Sequence, residues 1–243
     1  MYLNRRVSVV FPAYNEEKNI KTAIEEFFLH PAVDEVIAVD NNSTDRTREE
    51  ILKTRAKYVY EDRPGYGSAL MRGMTEATGD LIVTVEPDGT FNAGDLDKLL
   101  IYSNDFDVVF GTRTSRALIW SGAYMPFWVR LGNWAVAKQM EYLFNGPSLT
   151  DVGCTYKLIK RNAYEQIRPR LTVTGSHFSP DFMVRVLEAK IPCVEIPIHY
   201  RARVGESKIT GGNAPRTIRL GFRMIGFIFK QRFFPSDPYP SKR

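Results

Sequence analysis

The feature that most constrains this chain is a series of short runs, apolar at most positions and separated by stretches of helical character. Val7–Phe11 is β-branched and aromatic, and Glu35–Val39, Lys57–Tyr60, Asp80–Val85 and Asp107–Phe110 repeat the pattern. A strand wetted on one side alternates apolar and polar residues. A strand without that alternation is covered on both faces. Between the runs, Asn15 followed by Glu16-Glu17 predicts a helix start with its end near Leu29, and Ser43 or Thr44 predicts another reaching about Thr54. Ser68–Ala77 and Ala93–Tyr102 read as two further helices. Strands joined by helices imply an α/β fold with a mostly parallel, Rossmann-like sheet and helices on both faces. Ligands of such sheets bind beyond the carboxyl ends of the strands. Three polar clusters stand there: Pro12-Ala13-Tyr14-Asn15-Glu16, Asp40-Asn41-Asn42 and Glu86-Pro87-Asp88-Gly89.

The second half is less regular. Ala117–Val129 is uncharged and aromatic-rich, bracketed by Arg116 and Arg130. Val129–Phe144 and Pro180–Lys190 read as helices, Thr155–Ile159 and Val194–Ile198 as strands. Pro215 can open a helix to about Phe234. On a wheel of about 100° per residue, Arg216, Arg219, Arg223 and Lys230 share one face, and Ile218, Phe222, Ile225, Phe229 and Phe233 lie roughly opposite. This predicts a single domain over 1–212, with a first half to about 115 and a second half over 116–212. An amphipathic helical extension and tail follow over 213–243.

Charge divides the same way. Residues 1–110 hold 12 Lys/Arg against 20 Asp/Glu, a net −8, and residues 111–243 hold 21 against 8, a net +13. An acidic half suits a metal ion and neutral hydroxyls; a basic half suits phosphates, nucleic acid or an anionic membrane. The basic residues follow no nucleic-acid-binding motif, which argues against that class. The longest apolar run, Met224–Phe229, is far short of the roughly 20 residues that span a bilayer. Two cysteines, Cys154 and Cys193, form no disulfide framework and read as reduced thiols in a cytosolic compartment.

Glu86 and Asp88, at i and i+2 behind a buried strand, can share a hard divalent cation that substrate phosphates and water complete. Pro87-Asp88-Gly89 is equally a good turn. Gly65-Tyr66-Gly67-Ser68 lacks the lysine of a phosphate-binding loop and reads as a turn and helix start.

Together, Val9–Glu17, Val39–Asp45 and Glu86-Pro87-Asp88 resemble the donor site of family-2 glycosyltransferases with the GT-A fold. Gly111-Thr112-Arg113, Asp151-Val152-Gly153 with Lys157-Leu158, and Arg203–Lys208 followed by Gly211-Gly212-Asn213 narrow the likeness to dolichyl-phosphate mannosyltransferases and polyprenyl-phosphate relatives. The resemblance runs from about Val7 to Ile225. It implies a nucleoside pocket shaped by Pro12, Tyr14 and Glu16, with Val39, Asp40 and Asn41 at the base or ribose. It implies Glu86 and Asp88, flanking Pro87, as ligands of Mg²⁺ or Mn²⁺ against the donor diphosphate. Arg113 and Arg130 would hold phosphates, and Arg203 and Lys208 would sit on a loop closing over donor and acceptor. The family usually has Asp where this chain has Glu86, and a second Asp where it has Asn41. The loop before Lys208 looks one residue shorter than in eukaryotic enzymes, which makes Arg201 an alternative to Arg203.

The implied reaction is inverting transfer of a sugar from GDP-mannose or a UDP-sugar to a polyprenyl or dolichyl phosphate. A divalent cation with Arg and Lys stabilises charge on the leaving diphosphate. A phosphate acceptor is already an oxyanion and needs positioning more than a base. Asp151 is the candidate carboxylate near the reacting carbon, orienting the sugar or, with a hydroxyl acceptor, acting as base; it reads equally as a turn residue before Gly153. Other readings are a non-catalytic nucleotide-sugar binder and, less well supported, a nucleic-acid binder. The implied partners are a nucleotide sugar, a lipid phosphate, an anionic membrane surface and a homodimer mate or membrane protein. The implied location is the cytoplasm, peripherally on the inner face of the membrane.

Overall fold

A computed structural model describes residues 1–123, 125–204 and 214–234. Seven strands form one sheet: β1 (Val7–Ala13), β2 (Val33–Asp40), β3 (Lys57–Tyr60), β4 (Leu81–Thr84), β5 (Val108–Thr112), β6 (Lys157–Lys160) and β7 (Cys193–Pro197). Their order is β3-β2-β1-β4-β6-β5-β7. All neighbours run parallel except β6, which is antiparallel to both β4 and β5 and wedges between them. Every strand expected from the apolar runs is present, within a few residues at each end.

Among the described residues, eight α-helices flank the sheet: α1 (Ile20–Phe28), α2 (Thr47–Leu52), α3 (Tyr66–Glu76), α4 (Leu96–Tyr102), α5 (Phe127–Phe144), α6 (Arg161–Ile167), α7 (Phe178–Glu188) and α8 (Ala214–Phe233). The first two start later than expected. Asn15 is not a cap: it lies in the left-handed region at φ 54°, and its side-chain oxygen accepts from the Thr44 amide at 2.8 Å. Thus residues 14–19 form a turn that ties β1 to the loop after β2, with the helix beginning behind it. Ser43 likewise turns back on Asp40. The short α6 carried no pattern strong enough to predict it.

The continuous apolar strands are explained by a core on each face. Val10, Ile37, Val39 and Ile82 pack with Leu70, Met74, Phe182, Met224 and Ile228, while Val7, Val9 and Phe11 pack with Ile20, Ile24, Phe27, Leu96 and Leu100. Neighbouring residues of one strand thus serve opposite cores. Helix α3 lies on the sheet at Gly73, where a Cβ would come 2.3 Å from Val10 Cγ1 and 2.9 Å from Val39 Cγ2.

Helix α8 has three stripes rather than two. Met224, Ile228 and Gln231 are buried against the domain, so the helix expected as an extension contributes to the core. Arg219, Arg223 and Lys230 are exposed, and so is a separate stripe of Ile218, Phe222, Phe229 and Phe233. The aromatic stripe therefore lies beside the basic one, not opposite it. Helix α5 packs alongside and exposes Phe127, Trp128, Leu131 and Trp134.

Candidate functional site

The strand ends open into a cleft of about 540 Å³ lined by Pro12, Ala13, Tyr14, Glu16, Asn41, Asn42, Pro64, Gly65, Tyr66, Ala69, Glu86, Pro87, Asp88, Gly175, Ser176 and Arg203. Residues from β1, the ends of β2 and β4 and the start of α3 meet here because the parallel strands deliver their carboxyl ends to one edge.

The floor is acidic. Asp88 is 2% exposed. Its Oδ1 accepts from the Thr90 amide at 3.0 Å and the Thr90 hydroxyl at 2.6 Å, so the turn reading of Pro87-Asp88-Gly89 is realised. Among the described residues its Oδ2 receives no hydrogen bond, and it faces the Arg203 guanidinium at 2.7 Å as an ion pair. The turn uses one carboxylate oxygen and leaves the other for a cation. Glu86 Oε1 accepts from the Thr155 hydroxyl at 2.9 Å, and Oε2 from Arg203 at 3.3 Å. Burial, and then the Asp88 charge, raise the Glu86 pKa above the ordinary range, against the pull of Arg203. Burial works against the charge on Arg203, but Asp88 and Glu86 outweigh it and strengthen its hold on the proton.

The segment carrying Arg203 is tied down from both sides. The Arg201 amide donates to the Thr90 carbonyl at 2.9 Å and the Val204 amide to the Asp88 carbonyl at 3.0 Å. Asn19 donates to the Val204 carbonyl at 2.9 Å. Arg203, not Arg201, enters the acidic site; Arg201 pairs with Glu26 at 3.3 Å and stacks over Trp120. Lys208 lies outside the described residues.

Several expected residues stand elsewhere. Val39 is fully buried in the core and does not reach the cleft. Asp40 lies beneath the wall, its oxygens accepting from the Ser43 amide at 3.0 Å and the Tyr58 hydroxyl at 3.2 Å. Asn41 lines the cleft, and its side chain is engaged: its amide donates to the carbonyls of Glu61 at 3.0 Å and Arg63 at 2.8 Å. Its oxygen accepts from the Gly65 amide at 2.7 Å. A carboxylate has no proton for those two carbonyls, which explains Asn at this position. Arg130 sits on α5 over the Phe127 ring at 5.8 Å, outside the cleft lining.

Asp151 is not placed as a base. Its side chain is wholly buried and accepts from Arg113 Nε at 2.8 Å, Arg113 Nη2 at 3.0 Å, the Arg113 amide at 3.0 Å and the Gly153 amide at 3.0 Å. Burial alone would raise its pKa; the Arg113 charge and hydrogen bonds prevail and hold it below the ordinary value. A base needs a free lone pair, and here every direction is taken. Asp151 instead locks Arg113 over the Tyr200 ring at 5.3 Å.

Gly65-Tyr66-Gly67-Ser68 is the helix start that was expected. Gly65 has φ 136°, and a Cβ there would meet the Thr174 carbonyl at 2.3 Å. The Gly67 and Ser68 amides donate to that carbonyl at 2.7 and 3.1 Å. These α3 amides are satisfied by the protein and do not cradle an anion. No local pattern points to Thr155, which reaches Glu86 across 69 positions.

Among the described residues, no group of three or more His, Cys, Asp or Glu side chains gathers around one point, and no helix is long and apolar enough to cross a membrane. A two-carboxylate floor in an open cleft suits a ligand that carries phosphates and brings part of a cation's coordination with it. The sequence pattern of Glycosyl transferase family 2 matches residues 8–168, and the chain belongs to that family.

An uncharacterized glycosyltransferase of Mycobacterium bovis is 30% identical over 207 residues, 84% of this chain and 90% of that one. A dolichyl-phosphate hexose transferase of Haloferax volcanii is 29% identical over 205 residues, covering 84% and 86%. Glucosyl-3-phosphoglycerate synthase from Mycobacterium tuberculosis, solved with Mn²⁺, UDP and phosphoglyceric acid, superposes with a TM-score of 0.72. It is 18% identical, with 96% of this chain and 80% of that chain covered. The fold is GT-A.

Proposed function

We propose that the chain moves a sugar, with inversion, from a nucleoside-diphosphate donor to a polyprenyl or dolichyl phosphate at a membrane surface, using Mg²⁺ or Mn²⁺. The observation that carries this reading is Asp88 Oδ2: buried at the cleft floor, without a hydrogen-bond donor among the described residues, and facing the Arg203 guanidinium. Two carboxylates facing one guanidinium keep a net negative charge and fit a hard divalent cation. Glu86 and Asp88 would hold it, and it would supply charge stabilisation to the departing diphosphate. Pro12, Tyr14, Glu16 and Asn41 would wall the nucleoside. Arg203 would turn from the carboxylates to phosphate, with Arg113 held nearby by Asp151.

The acceptor assignment is supported by the Haloferax relative's name and by the exposed aromatics of α5 and α8 beside the basic stripe. Such a surface suits the interface of an anionic membrane. A hydroxyl acceptor would require a base, and the engagement of Asp151 with Arg113 counts against the carboxylate first considered for that role.

The test is sugar transfer from a panel of nucleotide sugars with Mn²⁺, offering polyprenyl phosphate in anionic vesicles or phosphoglycerate in solution. Transfer to the lipid, abolished by EDTA, with protein floating with the vesicles at low salt, is expected. Transfer to phosphoglycerate alone would overturn the lipid assignment, and full activity in EDTA would overturn the metal role.

A further inference from the structure

Glu86 differs from the aspartate usual at this position by one methylene, and the extra length must be managed. A glutamate has one more rotatable bond, and that freedom has to be removed for its carboxylate to ligate from a fixed place. The means of removing it is visible. Thr155 is 5% exposed, and its carbonyl accepts from the Thr84 hydroxyl at 2.7 Å, fixing the backbone just before β6 to the end of β4. Its own hydroxyl meets Glu86 Oε1 at 2.9 Å and the Tyr66 hydroxyl at 2.7 Å.

The direction of this chain is forced. An ionised carboxylate only accepts, so the single Thr155 proton goes to Glu86, and the Tyr66 proton must then go to Thr155. Tyr66 is anchored in turn, since the Gly65 amide before it donates to Asn41 and the Gly67 amide after it to the Thr174 carbonyl. The relay thus starts at the wall of the cleft and ends on one oxygen of Glu86. It leaves Oε2, the oxygen that faces Arg203 at 3.3 Å, for the cation.

Resting on the metal reading above, we propose that Thr155 and Tyr66 are positioning residues that hold Glu86 by Oε1 and present Oε2 to the divalent cation. They make glutamate work where the shorter aspartate would fall short of Thr155. Partners of this kind are worth roughly 10- to 100-fold in metal affinity.

The experiment titrates Mn²⁺ alone, without nucleotide, following the free-ion signal by electron paramagnetic resonance. The proteins are the wild type, Thr155→Val, Thr155→Ser, Tyr66→Phe, Glu86→Asp and Glu86→Asp combined with Thr155→Val, with circular dichroism confirming each fold. Expected results are about 10-fold weaker binding for Thr155→Val, a smaller loss for Tyr66→Phe, and near-wild-type binding for Thr155→Ser. In the Glu86→Asp background, Thr155→Val should cost nothing further. Wild-type affinity in folded Thr155→Val, or an undiminished Thr155→Val loss in the Glu86→Asp background, would overturn the positioning role while leaving the metal site standing. No Mn²⁺ binding by the wild type would overturn both.

Discussion

Arg203→Ala should tighten binding of Mn²⁺ alone while slowing transfer. The Arg203 guanidinium stands 2.7 Å from Asp88 Oδ2 and 3.3 Å from Glu86 Oε2, so a cation approaching these carboxylates must first displace it. At an effective dielectric near 20 the gross attractions are roughly 5–6 kcal/mol each. Desolvation cancels most of this; a hydrogen bond to a charged group nets roughly 1.5–3 kcal/mol. The side chain is 27% exposed, so the middle of that range is appropriate. At about 1.4 kcal/mol per decade, releasing this contact corresponds to about 10- to 100-fold in affinity. The surrounding segment should survive the substitution, because Val204 and Arg201 are held through their backbones. Isothermal titration with MnCl₂, without nucleotide, reads the effect directly. Equal or weaker binding by the variant would refute the claim that the arginine occupies the cation's place. Transfer should fall in the same protein, because the guanidinium is no longer available to phosphate.

Asp88→Asn retains the acceptor for Thr90 and should preserve the turn while reducing transfer by at least about 100-fold; Asp88→Ala should also lose roughly 1–2 kcal/mol of stability in urea melts, since both Thr90 bonds go. Asp151→Ala strands the Arg113 charge and should cost roughly 3–5 kcal/mol, a loss that removing a mere base would not produce. The Asp151 pKa lies below its unfolded value, so its contribution is present above the unfolded pKa of about 3.9 and is lost as pH falls through the folded pKa. Asp151→Asn should therefore flatten the acid end of the stability profile, measured by denaturant midpoints. Gly73→Ala improves helix propensity by up to about 1 kcal/mol but drives a methyl into Val10 and Val39. Net destabilisation of roughly 1–3 kcal/mol is expected in chemical melts, and a stabilised variant would mean that α3 can lift from the sheet.

Much of the architecture was legible because strand and helix periodicity are local. Residues 57–60 form the strand read from them, and burial of both sheet faces followed from the missing polar alternation. The acidic floor was legible because Glu86 and Asp88 are two residues apart on one strand end. Their partners were not, since Thr155 and Arg203 arrive from 69 and 117 positions away. The order of β4, β6 and β5, and the reversal of β6, depend on how the chain returns after α5, which no short window encodes.

Asp151 marks the boundary most clearly. By itself the sequence determined that a carboxylate precedes Val152-Gly153; only the tertiary structure decided that Arg113 would take all of its remaining accepting capacity with the Gly153 amide. Likewise the sequence set the amphipathic character of α8, but packing against the domain decided which stripe is buried, because Met224 and Ile228 find a core to fill and Phe222 and Phe233 do not. Residue type and spacing determine what a segment can do; whether a given side chain is spent on structure or left for a ligand depends on partners that only the folded chain brings within reach.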